Sequence, residues 1–115
     1  MKNVLELNIG LLRNTDNLPN KVEDIYNAIQ EFFGKHDFRL VNTNVGDWGG
    51  EETYVAKIQI NHNNPKLVAS LLKSLCRSFK QDAIAYILDE VGDMAFNNSY
   101  KGERYSFNIE YFEKF

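Results

Sequence analysis

Apolar residues alternate with polar ones from the start of the chain: Leu5, Leu7, Ile9 and Leu11 are separated by Glu6, Asn8 and Gly10. A period of two predicts a half-buried strand. A polar turn region, Arg13 to Asn20, follows. The period then lengthens, and Val22, Ile25, Ala28, Ile29 and Phe32 mark one stripe of a helix. Asn20 and Glu23 have capping-box spacing at its start, and Gly34 supplies the stop. Phe38 to Val45 and Thr53 to Ile60 predict a hairpin around Gly46-Asp47-Trp48-Gly49-Gly50. Its second strand places Tyr54, Ala56, Ile58 and Ile60 on one face and Thr53, Val55, Lys57 and Gln59 on the other.

Asn64 before Pro65 predicts a second helix start, and Leu67, Val68, Leu71, Leu72, Leu75, Cys76 and Phe79 recur at helical spacing. Gln81 to Asp89 then predicts a strand, Met94 to Phe96 a short one, and Arg104 to Phe112 a final aromatic strand. The order β-α-β-β-α-β with an appended strand predicts an α+β, ferredoxin-like antiparallel sheet. Both helices lie on one face and an extra strand is added C-terminally. A length of 115 residues implies one domain, residues 1–115. Apolar content of 43% and charged content of 25% are ordinary for a globular protein and argue against disorder.

A net charge of −3 argues against DNA or RNA as the main partner, because phosphate backbones call for a basic face. The first residues lack the apolar run of a secretion signal, and no segment approaches a membrane span. The one cysteine, Cys76, lies on an apolar helix stripe and reads as a small core residue. A cytoplasmic location fits this pattern.

Few residues announce chemistry. His36 and His62 have no metal-ligand spacing and read as solvated loop histidines. No G-x-S-x-G elbow surrounds Ser70, Ser74 or Ser78, which read as the polar flank of a helix. Asp89, Glu90 and Asp93 offer either an exposed acidic turn, the plainer reading, or a loose divalent-metal or acid–base site. Trp48, among glycines, either packs on a sheet edge or a subunit interface, or forms a lid over a planar ligand. Arg104 lies among Asn97, Asn98, Tyr100 and Tyr105, with Arg77 as a further cation. Guanidinium, amide and aromatic groups together suit an anionic nucleotide. The same mixture describes an ordinary subunit interface, which is the plainer reading.

Three stretches carry a family resemblance: Leu5 to Leu11, Gln81 to Tyr86 and Phe107 to Phe112. In these the chain resembles the phage and prophage anti-Thoeris family of type one. The resemblance implies a non-enzymatic, homo-oligomeric protein of the infected cell, with no cofactor or metal. It would sequester a cyclic ADP-ribose-type signal between protomers and so block Thoeris defence. No position is carried over from a family motif; the ligand-binding candidates remain Arg104, Arg77, Tyr105, Tyr100, Asn97, Asn98 and Trp48. Two rival expectations are an inhibitor that caps a host enzyme by direct contact and a metal-dependent cyclic-nucleotide phosphodiesterase built on Asp89, Glu90 and Asp93.

Overall fold

The computed structural model describes residues 3–12, 18–44, 50–61, 64–106 and 109–115. Five strands and two helices alternate as β1 (Asn3–Gly10), α1 (Val22–Phe33), β2 (Asp37–Asn44), β3 (Gly50–Ile60), α2 (Pro65–Phe79), β4 (Ala83–Leu88) and β5 (Val91–Phe96). The sheet order is β2-β3-β1-β4-β5, with every neighbouring pair antiparallel. This is the expected α+β plan with an extra strand. That strand is β5, however, and not Arg104–Phe112. The described part of the latter segment forms one 3-10 turn, Ile109–Tyr111.

Alternation dictates what each face buries. Leu5, Leu7 and Ile9 of β1 meet Tyr54, Ala56 and Ile58 of β3 and Ile84, Tyr86 and Leu88 of β4 in one core. Ile25 and Ile29 of α1, and Val68, Leu72, Leu75, Cys76 and Phe79 of α2, close it from above. The register carries the other parity to the helix-free face: Asn8 stands opposite Val55 and Ala85, and Val55 opposite Arg39. Val55, Ile87 and Phe96 are buried on this face although no helix covers it. The C-terminal segment lies across it. Asn8 Nδ2 donates to the Glu113 carbonyl at 2.9 Å, and the Glu113 N–H donates to Asn8 Oδ1 at 2.8 Å. Arg39 donates to the Lys114 carbonyl, and Phe112 is buried.

Capping follows the sequence at α2, where the Asn64 side chain accepts from the N–H groups of Lys66 and Leu67. It departs at α1. Lys21 is the N-cap, with no side-chain cap bond, because Asn20 is drawn inward. Its side chain donates to the Phe79 carbonyl at 3.2 Å and its main chain to Leu11 at 2.6 Å. Gln81 is equally committed, donating to the Gly10 carbonyl at 2.8 Å and the Leu12 carbonyl at 2.7 Å. These amides fix one end of the sheet without leaving buried polar groups unpaired. No helix among the described residues is long and apolar enough to cross a membrane.

The β4–β5 turn places Asp89 at φ 48° and Glu90 at φ 73°. Asp89 gains from it: its N–H donates to the Val4 carbonyl and its carboxylate accepts from the Val4 N–H. No bond of this kind is described for Glu90, whose Cβ is crowded in the left-handed region. Glu90→Gly therefore raises the free energy of unfolding by about 1 kcal/mol, read as an upward shift of the urea midpoint with an unchanged slope.

Candidate functional site

Phe96 ends β5 on the helix-free face, and the chain then folds back over it. Asn97 makes this reversal. Its N–H donates to the Asp82 carbonyl at 2.7 Å, and its side-chain amide donates to the Gln81 carbonyl at 3.1 Å. Its side-chain oxygen accepts from the N–H and hydroxyl of Ser99. The turn delivers the Tyr100 ring onto Phe96, stacked at 5.5 Å and 11°. Tyr105 meets the same ring edge-on at 5.1 Å, and the Arg104 guanidinium carbon lies 4.9 Å from its centroid. Tyr100 is held in place by donating its hydroxyl to the Glu103 carbonyl at 2.9 Å. Gly102 leaves room for that ring: a Cβ would lie 2.5 Å from the Tyr100 hydroxyl oxygen, so the ring would have to move.

Three expected residues thus converge. Arg104, Tyr100 and Tyr105 surround Phe96, whose role the aromatic pattern of the sequence did not signal. Asn97 is buried and its amide is spent on the turn, whereas Asn98 is exposed beside it. Arg77 is exposed on α2, where it donates to Ser74 at 3.4 Å, and no described contact joins it to the cluster. Trp48 and His62 lie outside the described residues. The expected acidic candidates have local roles: Asp89 extends the β1–β4 pairing, and Asp93 accepts from the Met94 N–H at 2.8 Å. Among the described residues, no group of three metal-ligating side chains gathers.

Electrostatics sets this cluster apart from the rest of the face. Burial, then neighbouring Tyr100, Asp82 and Cys76, push the Tyr105 hydroxyl up to about 12, so it stays neutral and able to donate. Cys76, buried between α2 and the sheet with its thiol against the Ala95 carbonyl, is pushed up to about 12 by burial. That makes it a packing residue and not a nucleophile. The cluster offers one exposed guanidinium and aromatic faces. It can hold a carboxylate or phosphate beside a planar ring.

A second aromatic cluster corrects the expectation for His36. It is not a solvated loop residue. Its ring lies 4.8 Å from Tyr26 and 6.0 Å from Tyr54, and Nε2 shares a 2.7 Å hydrogen bond with the Tyr54 hydroxyl. Nδ1 is buried without a hydrogen-bond partner. Burial lowers the pKa below the usual 6.5, against the opposing pull of the Gly34 carbonyl and Asp37. Phe38 stacks on Tyr54 at 4.7 Å and 7° while still partly exposed.

No family model matches the chain, and no curated protein matches it in sequence. Among solved structures the chain is similar to a phage SAM lyase in complex with S-methyl-5'-thioadenosine. The TM-score is 0.61 with 16% identity, over 97% of this chain and 93% of that one. The two proteins share a fold over nearly their whole lengths. The finding overturns the expectation of a non-enzymatic sponge for cyclic ADP-ribose, because the protein that shares this architecture is an enzyme holding a nucleoside thioether. What survives of the resemblance is a fold that, in a phage protein, holds a small nucleoside ligand.

His36 supplies a pH test. A ring whose pKa is lowered by folding contributes fully above 6.5 and loses its contribution as pH falls through the folded-state value. Urea unfolding between neutral and mildly acid pH is expected to show stability falling below pH 6.5, the ordinary value. The slope is expected to flatten in His36→Gln.

Proposed function

We propose that this chain binds S-adenosylmethionine and acts on it as a lyase, releasing methylthioadenosine. The observation that carries the reading is the match of fold, over nearly the full length of both chains, to a SAM lyase holding that thioether. The cluster around Phe96 supplies suitable chemistry. Adenine stacks on Tyr100 or Tyr105, with Asn98 at its polar edge, and Arg104 takes the substrate carboxylate. Trp48 is a further candidate for stacking. Arg77 is the more distant candidate for the carboxylate. Asn97 acts by holding the turn.

Formation of methylthioadenosine from this substrate breaks the bond between sulfur and the γ-carbon of the amino-acid portion. The bonding electrons leave with sulfur, which passes from sulfonium to neutral thioether. No acid is needed to protonate such a leaving group. A lyase adds no water, so the γ-carbon is satisfied from within its own fragment: a carboxylate oxygen of the substrate forms the new bond as the carbon–sulfur bond breaks, closing a lactone. The protein's task is then to fold the substrate and to strip water from a charge that disappears in the transition state. Tyrosine faces favour the sulfonium by cation–π attraction, and Arg104 orients the carboxylate within the folded substrate.

The test is incubation with S-adenosylmethionine followed by chromatography of the nucleosides. Methylthioadenosine is expected to accumulate as substrate disappears, with no S-adenosylhomocysteine. Arg104→Ala is expected to lower kcat/KM by about ten- to a hundredfold, the value of a hydrogen-bonded charge. Substrate recovered intact would overturn the lyase reading. Gly102→Ala is expected to push Tyr100 off Phe96 and raise KM while circular dichroism shows the sheet unchanged.

A further inference from the structure

A second charge lies beside the Phe96 cluster, and Arg104 does not neutralise it. Asp82 immediately precedes Ala83, the residue of β4 that pairs with Phe96. Its carbonyl accepts from the Asn97 N–H at 2.7 Å, so the turn that carries Tyr100 onto Phe96 is anchored on Asp82. The carboxylate is felt by the groups around it. After burial it is the next cause holding the Cys76 thiol up, and after burial and Tyr100 it acts on the Tyr105 hydroxyl in the same sense. Tyr105 in turn meets Phe96 edge-on at 5.1 Å, and the Arg104 guanidinium carbon lies 4.9 Å from the centroid of that ring.

Both charges are open to a ligand. Arg104 is exposed and Asp82 half-buried, and neither has an ion-pair partner among the described residues. The neighbouring acids are placed otherwise. Glu103 is exposed and lends the cluster its carbonyl, while the carboxylate of Asp93 accepts from the Met94 N–H. A cation and an anion that are not bonded to each other, beside stacked rings, match a zwitterion joined to a planar group. An α-amino acid attached to a nucleoside is such a molecule.

Resting on the reading of the substrate as S-adenosylmethionine, we propose that Asp82 binds the α-ammonium group of its amino-acid portion while Arg104 binds the carboxylate on the same carbon. The sulfonium is the other cation of this substrate, and it is the wrong partner for Asp82. Its charge disappears as the bond breaks, so a carboxylate bound to it would stabilise the substrate more than the transition state and slow the reaction. The ammonium keeps its charge throughout. Its contact with Asp82 is the same before and during bond breaking, and therefore sets affinity and selectivity but not rate. Asp82 thus selects adenosyl compounds that retain a free α-amino acid. Methylthioadenosine carries neither group and leaves without that contact.

The test compares S-adenosylmethionine with the analogue in which hydrogen replaces the α-amino group, in the full chain and in Asp82→Asn. The variant is expected to raise KM for S-adenosylmethionine about ten- to a hundredfold, with kcat unchanged within about twofold. The analogue is expected to show a similarly raised KM in the full chain and no further rise in Asp82→Asn. Asp82→Glu, which keeps the charge, is expected to recover part of the loss. An unchanged KM in Asp82→Asn, or an equal loss on both substrates, would overturn the proposal and leave the lyase reading in place. If no methylthioadenosine forms, the lyase reading fails, and calorimetry of S-adenosylmethionine binding makes the same comparison. Weaker binding by Asp82→Asn would then support the contact without turnover, and a full chain that does not bind S-adenosylmethionine would overturn both.

Discussion

β1 must be covered on both sides, and the rest of the structure follows from that. It is the middle strand of the sheet, paired with β3 and β4, so no edge of it is free. One side carries Leu5, Leu7 and Ile9, which two helices bury completely. The other carries Asn8 between Val55 and Ala85, a surface too apolar to be left wet and too polar for a hydrophobic layer alone. A helix, whose main-chain groups are paired internally, would offer no N–H to Asn8 Oδ1, although Asn8 Nδ2 also reaches the Leu7 carbonyl. An extended segment offers main-chain N–H and C=O groups, and Asn8 takes one of each from Glu113. The irregular C-terminal layer is the solution that satisfies a polar group in the centre of a sheet face.

That constraint explains which parts of the fold were legible. The strands and helices through Leu88 announce themselves because each has one apolar face and a fixed period. The final segment has aromatic residues at strand-like intervals and was expected to be a strand. Its aromatic groups serve a different end: Tyr105 meets Phe96 and Phe112 is buried, while the main chain at Glu113, Lys114 and Phe115 bonds side chains of the sheet face. Periodicity records which residues are buried. It does not record whether the main chain joins a ladder. Asn20 was misjudged for a related reason, since its capping spacing was sound but a longer-range acceptor, the Phe79 carbonyl, claimed the amide.

The site was partly legible. Arg104, Tyr100 and Tyr105 stood out as a cation among aromatic residues, and they do converge. Phe96, the ring that organises them, did not stand out, because a lone phenylalanine at the end of a strand is indistinguishable from core. Asn97 stood out for the wrong property: its hydrogen-bonding capacity is consumed in making the turn. His36 reads as a loop histidine in the sequence because its partners are supplied by the fold: Tyr26 from α1 and Tyr54 from β3.

The sequence shows no triad, metal cluster or phosphate loop, which agrees with the binding protein without turnover that the family resemblance implies. The agreement holds only for reactions that need such groups. Cleavage of a sulfonium has a neutral leaving group and an electron source inside the substrate, so the usual signatures of hydrolysis and group transfer have no part to play. Rate can come from holding the substrate folded and from replacing water around a charge that vanishes as the bond breaks. Aromatic rings, a guanidinium and neutral hydroxyls are sufficient material for both. The same materials serve a nucleotide sponge equally well, which is why composition alone could not separate them.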